Sequence, residues 1–253
     1  MIKNKKILLS DGCSWTWGDG LENHETRRWS YHLSKKLGVD DINISERGSC
    51  NQSMVLRVSD WFEKNTDKLN EIILVVGFTE ISRDIFYNAI LKKHQNINWV
   101  NRDFFKDFKE HMKNQIDGLV SQTIDIERNE LLNYYTKEEW EKWWKQYFLL
   151  HYDLDNLINK FTEQIIYLQN LCKSNGVSFL LYESFGTQFS QYKSNSFGSR
   201  LIDKEHLLDL SFSKFISDNN LDYSDDSGHP GKKSHLEWSN FLYDNIMKIY
   251  NEK

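Results

Sequence analysis

Hydrophobic residues fall along this chain in two kinds of run. Ile72-Ile73-Leu74-Val75-Val76 is apolar at successive positions and stops at Gly77. A short run with no polar face predicts a strand buried on both sides in a parallel sheet, here over Glu71 to Val76. Lys6 to Ser10, Asp41 to Ser45 and Val177 to Tyr182 are shorter strand signals. Elsewhere apolar residues recur every three or four positions, the signature of one helix face. Trp29, Leu33 and Leu37 predict a helix ended by Gly38. Met54, Val58 and Trp61 predict another over Asn51 to Leu69, after a polar turn at Glu46 to Cys50. Leu154, Ile158, Phe161, Ile165, Leu168 and Cys172 form a long stripe that Asn175-Gly176 stops. Trp238, Leu242, Ile246 and Ile249 mark a last helix over Ser234 to Tyr250, with Ser234 and Glu237 at capping-box spacing. Strands alternating with helices predict an α/β sandwich around a parallel sheet.

Between Asp84 and Asp153 the pattern breaks into a long polar and aromatic stretch with no clear strand. Thr136 and Glu139 have capping-box spacing, and Trp140, Trp143, Trp144, Tyr147 and Phe148 follow. We expect residues 84–153 to be a mainly helical, Trp-rich insertion within a single domain spanning 1–253. Its indoles either pack on the main domain or form a substrate platform or lid. Ser184 to Ser199 is rich in Ser, Gly, Asn and Gln and reads as a loop.

In parallel α/β sheets, ligands bind beyond the carboxyl ends of the strands. The segments there are Asp11-Gly12-Cys13-Ser14, Glu46-Arg47-Gly48-Ser49-Cys50-Asn51, Gly77-Phe78-Thr79-Glu80 and, before the last helix, Asp225-Asp226-Ser227-Gly228-His229-Pro230. Together they hold a serine, glycines with free N–H groups and an Asp-x-x-His. That is the equipment of acyl transfer from an ester. A serine hydroxyl needs a histidine to take its proton, and the histidine needs a carboxylate to orient it. Backbone N–H groups at a tight turn can hold the developing oxyanion.

These segments resemble, in order, the blocks of the SGNH hydrolase superfamily, the GDSL esterases and lipases. Gly12-Cys13-Ser14-Trp15-Thr16-Trp17-Gly18 is similar to the first block, Gly-Asp-Ser-x-Thr-x-Gly. Gly48, with Asn43 upstream, resembles the second, and Gly77-Phe78-Thr79-Glu80 stands at the third, Gly-x-Asn-Asp. Asp226-Ser227-Gly228-His229-Pro230 resembles the last, Asp-x-x-His-Pro. The resemblance covers residues 5–83 and about 154–250 and implies a three-layer α/β/α fold of the SGNH, flavodoxin-like type. It implies Ser14 as nucleophile, His229 as general base and Asp226 as its orienting acid, with no metal or cofactor. The N–H groups of Ser14 and Gly48 would form part of the oxyanion hole. Thr79 stands where the family has an Asn donor, and Asn51 is a substitute for it. Cys13 replaces the aspartate of the first block.

On this reading the protein is a serine esterase acting on a small acyl ester, such as an acetyl group on a carbohydrate. An O-acyltransferase would use the same residues, and an inactive binding protein could keep the same fold. Trp15 and Trp17 flank the serine and serve either as stacking faces for substrate or as core. Arg83 either binds an anionic substrate group or pairs with Glu80 or Asp84. His235 is expected to cap or pack the last helix.

The net charge of −5 gives no sign of a nucleic-acid binder. No run approaches the roughly 20 apolar residues of a membrane span. Ile7-Leu8-Leu9 is too short for a signal-peptide core. Cys13, Cys50 and Cys172 have neither zinc nor disulfide-framework spacing. We therefore expect a cytoplasmic protein with a small-molecule or carbohydrate ester as partner, its oligomeric state left open. The Asn-, Lys- and Ile-rich, Pro-poor composition fits an AT-rich microbial or phage genome.

Overall fold

A computed structural model describes residues 4–81, 83–88, 93–97, 139, 154–186, 198–225 and 228–251. Four parallel strands form the central sheet in the order β2-β1-β3-β6: β1 is Ile7–Gly12, β2 Asp40–Asn43, β3 Ile72–Phe78 and β6 Ser178–Glu183. Their register sets Gly12 opposite Gly77, and Gly77 opposite Tyr182, so three strand ends finish side by side. Beyond β6, Leu207 adds a parallel bridge to Leu181.

The helices are α1 (Ser14–Trp17), α2 (His24–Arg27), α3 (Trp29–Leu37), α4 (Asn51–Lys64), α5 (Leu154–Ser174), α6 (Phe212–Asp218) and α7 (Lys232–Asn251). One layer pairs α3 with α7 and the other pairs α4 with α5, giving a three-layer α/β/α sandwich. The apolar run of β3 is buried along its whole length, as a strand covered on both faces must be. Leu33, Met54, Val58, Ile165, Leu168, Trp238, Leu242 and Ile246 complete the core from the helices. Trp238 stacks on Phe212 at 4.8 Å and meets Tyr182 edge-on at 5.1 Å, tying α7 and α6 to β6. The Tyr250 hydroxyl donates to Phe179 O and accepts from Phe179 N, which fixes the far end of α7 to the same strand.

Three local expectations are corrected. The stretch read as strandless opens with an antiparallel pair, β4 (Asp84–Asn88) and β5 (Lys93–Ile97). Lys93-His94-Gln95-Asn96-Ile97 lacks apolar alternation, so the second strand leaves no signal, and the first offers only the three-residue run Ile85-Phe86-Tyr87. The insertion's indoles, Trp140, Trp143 and Trp144, and most of the Ser184 to Ser199 segment lie outside the described residues. The helix begun at Asn51 ends at Lys64, and a 3-10 turn, Thr66–Glu71, leads into β3. Finally, α7 starts at Lys232, which places Ser234 inside it. The cap is supplied by Asp222, whose carboxylate accepts from Lys233 N at 3.2 Å and Ser234 N at 2.7 Å. Burial works against the Asp222 charge, but the Ser234 and Lys233 hydrogen bonds hold its carboxyl below the usual range.

Candidate active site

Ser14 opens α1, directly beyond β1. Cys13, with extended backbone, precedes it, and its buried thiol packs in the core. Gly12 must be a glycine: a Cβ there would lie 2.1 Å from Thr16 Oγ1 and 3.0 Å from Gly77 O. Thr16 thus closes the turn against β1, and the chain presents Ser14, half-buried, at the edge of the sheet.

The second segment docks on the first. Asn43 Nδ2 donates to Thr16 O at 3.0 Å and Ser30 Oγ at 3.1 Å, while its carbonyl accepts from Ser45 N. Glu46 N donates to Gly12 O at 3.3 Å. Gly48 turns with φ of 68°, the left-handed region that favours glycine. Cys50 caps α4, its sulfur accepting from Ser53 N at 3.4 Å.

Asn51 and Thr79 meet, through the Thr79 backbone. Asn51 Oδ1 accepts from Thr79 N at 2.8 Å and its Nδ2 donates to Thr79 O at 3.1 Å. The Asn51 amide therefore works as a clamp on the end of β3, which tells against the substitute oxyanion donor expected above. Thr79 Oγ1 is buried and has no partner among the described residues.

The histidine segment reaches the serine turn from the far end of the chain. Trp15 Nε1 donates to Gly228 O at 3.2 Å, joining the residue after Ser14 to the residue before His229. His229 Nε2 lies 3.8 Å from the carboxylate of Asp19, and Asp19 N donates to Ser14 O at 3.0 Å. The other Asp19 oxygen pairs with Arg47 Nη2 at 2.7 Å. Ser224 N and Oγ both donate to His229 O, at 2.9 and 3.2 Å. Asp226 lies outside the described residues.

The flanking residues separate. Trp15 is buried and meets Phe185, Phe212 and Tyr223 edge-on, so it is core and offers no stacking face to substrate. Trp17 is half-buried and stacks on His24 at 4.9 Å. Arg83 pairs with Glu80 at 3.3 Å and lies over the Phe185 ring at 5.4 Å, the ion-pair alternative of the sequence reading. His235 is buried in α7, and its Nδ1 accepts from Trp29 N at 3.2 Å, so it caps α3 from a neighbouring helix. Burial pushes its imidazole down to about 3, with the nearby His32 adding to the effect.

Sequence reasoning missed Asp11, Arg57, Asp19 and Arg47. Asp11 is fully buried at the end of β1, where it accepts from Gly12 N and Arg57 Nη2, both at 2.6 Å. Burial pushes its carboxyl up to about 7 despite Arg57 and the Gly12 N–H. A charged residue inside an apolar strand run was the available signal for Asp11. Nothing local marks Arg57. Among the described residues, Asp203, Glu205 and His206 form one group with metal-ligand atoms within 4.8 Å of one another. The Asp203 carboxylate there already accepts from Lys173 and His206.

No family profile matches the sequence, and no curated protein matches it. The likeness is in three dimensions. The psychrotrophic esterase EstA from Pseudoalteromonas sp. superposes with a TM-score of 0.51 at 15% identity, over 98% of this chain and 100% of that one. The chain shares the fold of that esterase, a three-layer α/β/α sandwich around a parallel sheet. A lipolytic protein of the G-D-S-L family from Veillonella parvula matches at 11% identity and TM-score 0.41, over 98% of this chain and 100% of its own. An acetyl xylan esterase from Butyrivibrio proteoclasticus matches at 13% and 0.43, over 96% of this chain and 64% of its own. At such identities the likeness speaks to the fold alone. Ser14 stands beyond the first strand, Glu46 N bonds the segment before Gly48 to Gly12 O, and Trp15 bonds the Gly228-His229 segment. Among the described residues, no helix is long and apolar enough to cross a membrane.

Proposed function

We propose that this protein is a serine esterase that removes a small acyl group, acetyl being the simplest, from a larger hydroxyl-bearing molecule such as a carbohydrate. The observation that carries the reading is the Trp15 Nε1–H···O=C Gly228 hydrogen bond at 3.2 Å, which joins the Ser14 turn to the His229 segment across the length of the chain. A serine and a histidine delivered to one strand edge suit nucleophilic catalysis.

In this reading Ser14 Oγ attacks the ester carbonyl as His229 takes its proton. Asp226 orients the imidazole and offsets its positive charge. The carbonyl oxygen becomes an oxyanion, met by the N–H groups of Ser14 and Gly48 and by the Thr79 hydroxyl. The C–O bond to the alcohol breaks as His229 returns the proton to the leaving oxygen. Water, deprotonated by His229, then cleaves the acyl-enzyme and frees Ser14. The esterase EstA shares this fold at 15% identity, which is compatible with the reaction class.

The test is release of acetate from p-nitrophenyl acetate and from acetylated xylan, with Ser14→Ala alongside. Hydrolysis by the wild type that disappears in the variant is expected. A wild type inert toward every short-chain ester offered overturns the reading.

A further inference from the structure

Arg57 lies on α4, away from every segment assigned a chemical role above, yet its guanidinium spans two of them. Nη2 donates to the Asp11 carboxylate at 2.6 Å and to the Ser49 hydroxyl at 2.9 Å, and lies 3.4 Å from Gly12 O. Nη1 donates to the Glu46 carboxylate at 3.1 Å. Asp11 and Gly12 close the strand that delivers Ser14. Glu46 and Ser49 bracket Gly48. One planar group thus grips both walls of the proposed oxyanion hole. The backbone link between them, Glu46 N to Gly12 O, is a long one at 3.3 Å.

The pair is an expensive way to gain stability alone. Asp11 is fully buried, and its second oxygen has no partner among the described residues, nor has Arg57 Nε. Apolar residues of similar volume stabilise such sites as well as a buried ion pair does, or better. What the fork adds is geometry: several donors held in one plane, aimed at fixed acceptors in two separate segments.

We propose that Arg57 is a positioning residue for catalysis, setting the separation of the Ser14 and Gly48 N–H groups without touching substrate. The inference rests on the esterase reading. An oxyanion forms only in the transition state, so a misplaced hole lowers kcat and leaves KM nearly unchanged. Displacements near 1 Å at such sites cost on the order of 100-fold.

The experiment measures kcat and KM for p-nitrophenyl acetate at pH 8, with the thermal midpoint of each variant. Arg57→Lys keeps the charge and loses the fork. We expect it to fold, with kcat reduced roughly 10- to 100-fold and KM within about twofold of wild type. Arg57→Ala is expected to fall further and to be partly restored by added methylguanidinium. Asp11→Asn combined with Arg57→Gln removes both charges together, leaving no unpaired buried ion, and is expected to show the same kcat loss. Lys64→Ala, an exposed α4 variant, serves as the unchanged control. Wild-type kcat in Arg57→Lys or in the double variant, or a loss confined to KM or to the thermal midpoint, overturns the inference while the esterase reading stands. A wild type without esterase activity overturns both.

Discussion

Asp222→Ala tests the least expected piece of local structure, a helix cap that comes from outside the helix. The carboxylate of Asp222 accepts the second and third N–H groups of α7, and its backbone oxygen accepts from Gly231 N at 2.9 Å. Loss of an N-cap side chain costs about 1 kcal/mol, within a range of roughly 0.5–2. A negative charge at a helix N-terminus adds about 0.3–1 kcal/mol, and the low end applies here because Asp222 is exposed. The sum is about 1–2 kcal/mol, or roughly 3–6 °C in thermal midpoint for a chain of this size. Asp222→Asn keeps an acceptor and is predicted to lose much less. The assay is thermal and urea unfolding of the three proteins side by side. A midpoint for Asp222→Ala within about 1 °C of wild type would refute the assignment of the cap. Equal losses for the Ala and Asn variants would refute the hydrogen-bonding mechanism.

Other perturbations probe other links. His235 is held neutral in the folded state, its imidazole pushed down to about 3, so the unfolded chain binds the extra proton between about 3 and 6.5. Its contribution to stability is therefore complete above pH 6.5 and is lost on acidification, by up to about 1.4 kcal/mol per pH unit. Urea unfolding from pH 7 to 5 should show a steeper loss for wild type than for His235→Gln; parallel curves would contradict this. Trp15→Phe keeps most of the buried ring and removes the donor to Gly228, and should cost about 1 kcal/mol and slow ester hydrolysis several-fold. An unchanged rate would show that the indole does not hold the histidine segment. Gly12→Ala forces a Cβ against Thr16 and Gly77 and should destabilise by about 1–3 kcal/mol, and a wild-type thermal midpoint would contradict the close approach.

The sheet was legible because burial on both faces leaves an unbroken apolar run, as at Ile72 to Val76, and the long helices because their stripes repeat over many turns. Ser14 and Gly48 stood out as candidates through their places after strands, and His229 through its Asp-x-x-His spacing just before the last helix. The rest depends on pairings that local patterns cannot carry. Asp222 reaches Ser234, and Arg57 reaches Asp11, across distances in sequence that no period connects. The β4–β5 pair joins the short Ile85-Phe86-Tyr87 run to Lys93 to Ile97, a strand whose polar sequence carries no strand pattern. Asn51 has the residue type of an oxyanion donor, and only its two bonds to the Thr79 backbone reveal a clamp. Trp15 sits beside the serine in sequence, but a helical turn rotates its ring into the core.

The central claim is that Ser14 is an activated nucleophile. A fluorophosphonate probe reports on that directly, because it forms a covalent bond only with a serine whose proton has an acceptor. Incubation of the native protein, followed by peptide mass spectrometry, should place one adduct on Ser14, absent from Ser14→Ala and strongly reduced in His229→Ala. No adduct on the folded wild type, or equal labelling of the Ser14→Ala protein, would contradict the account.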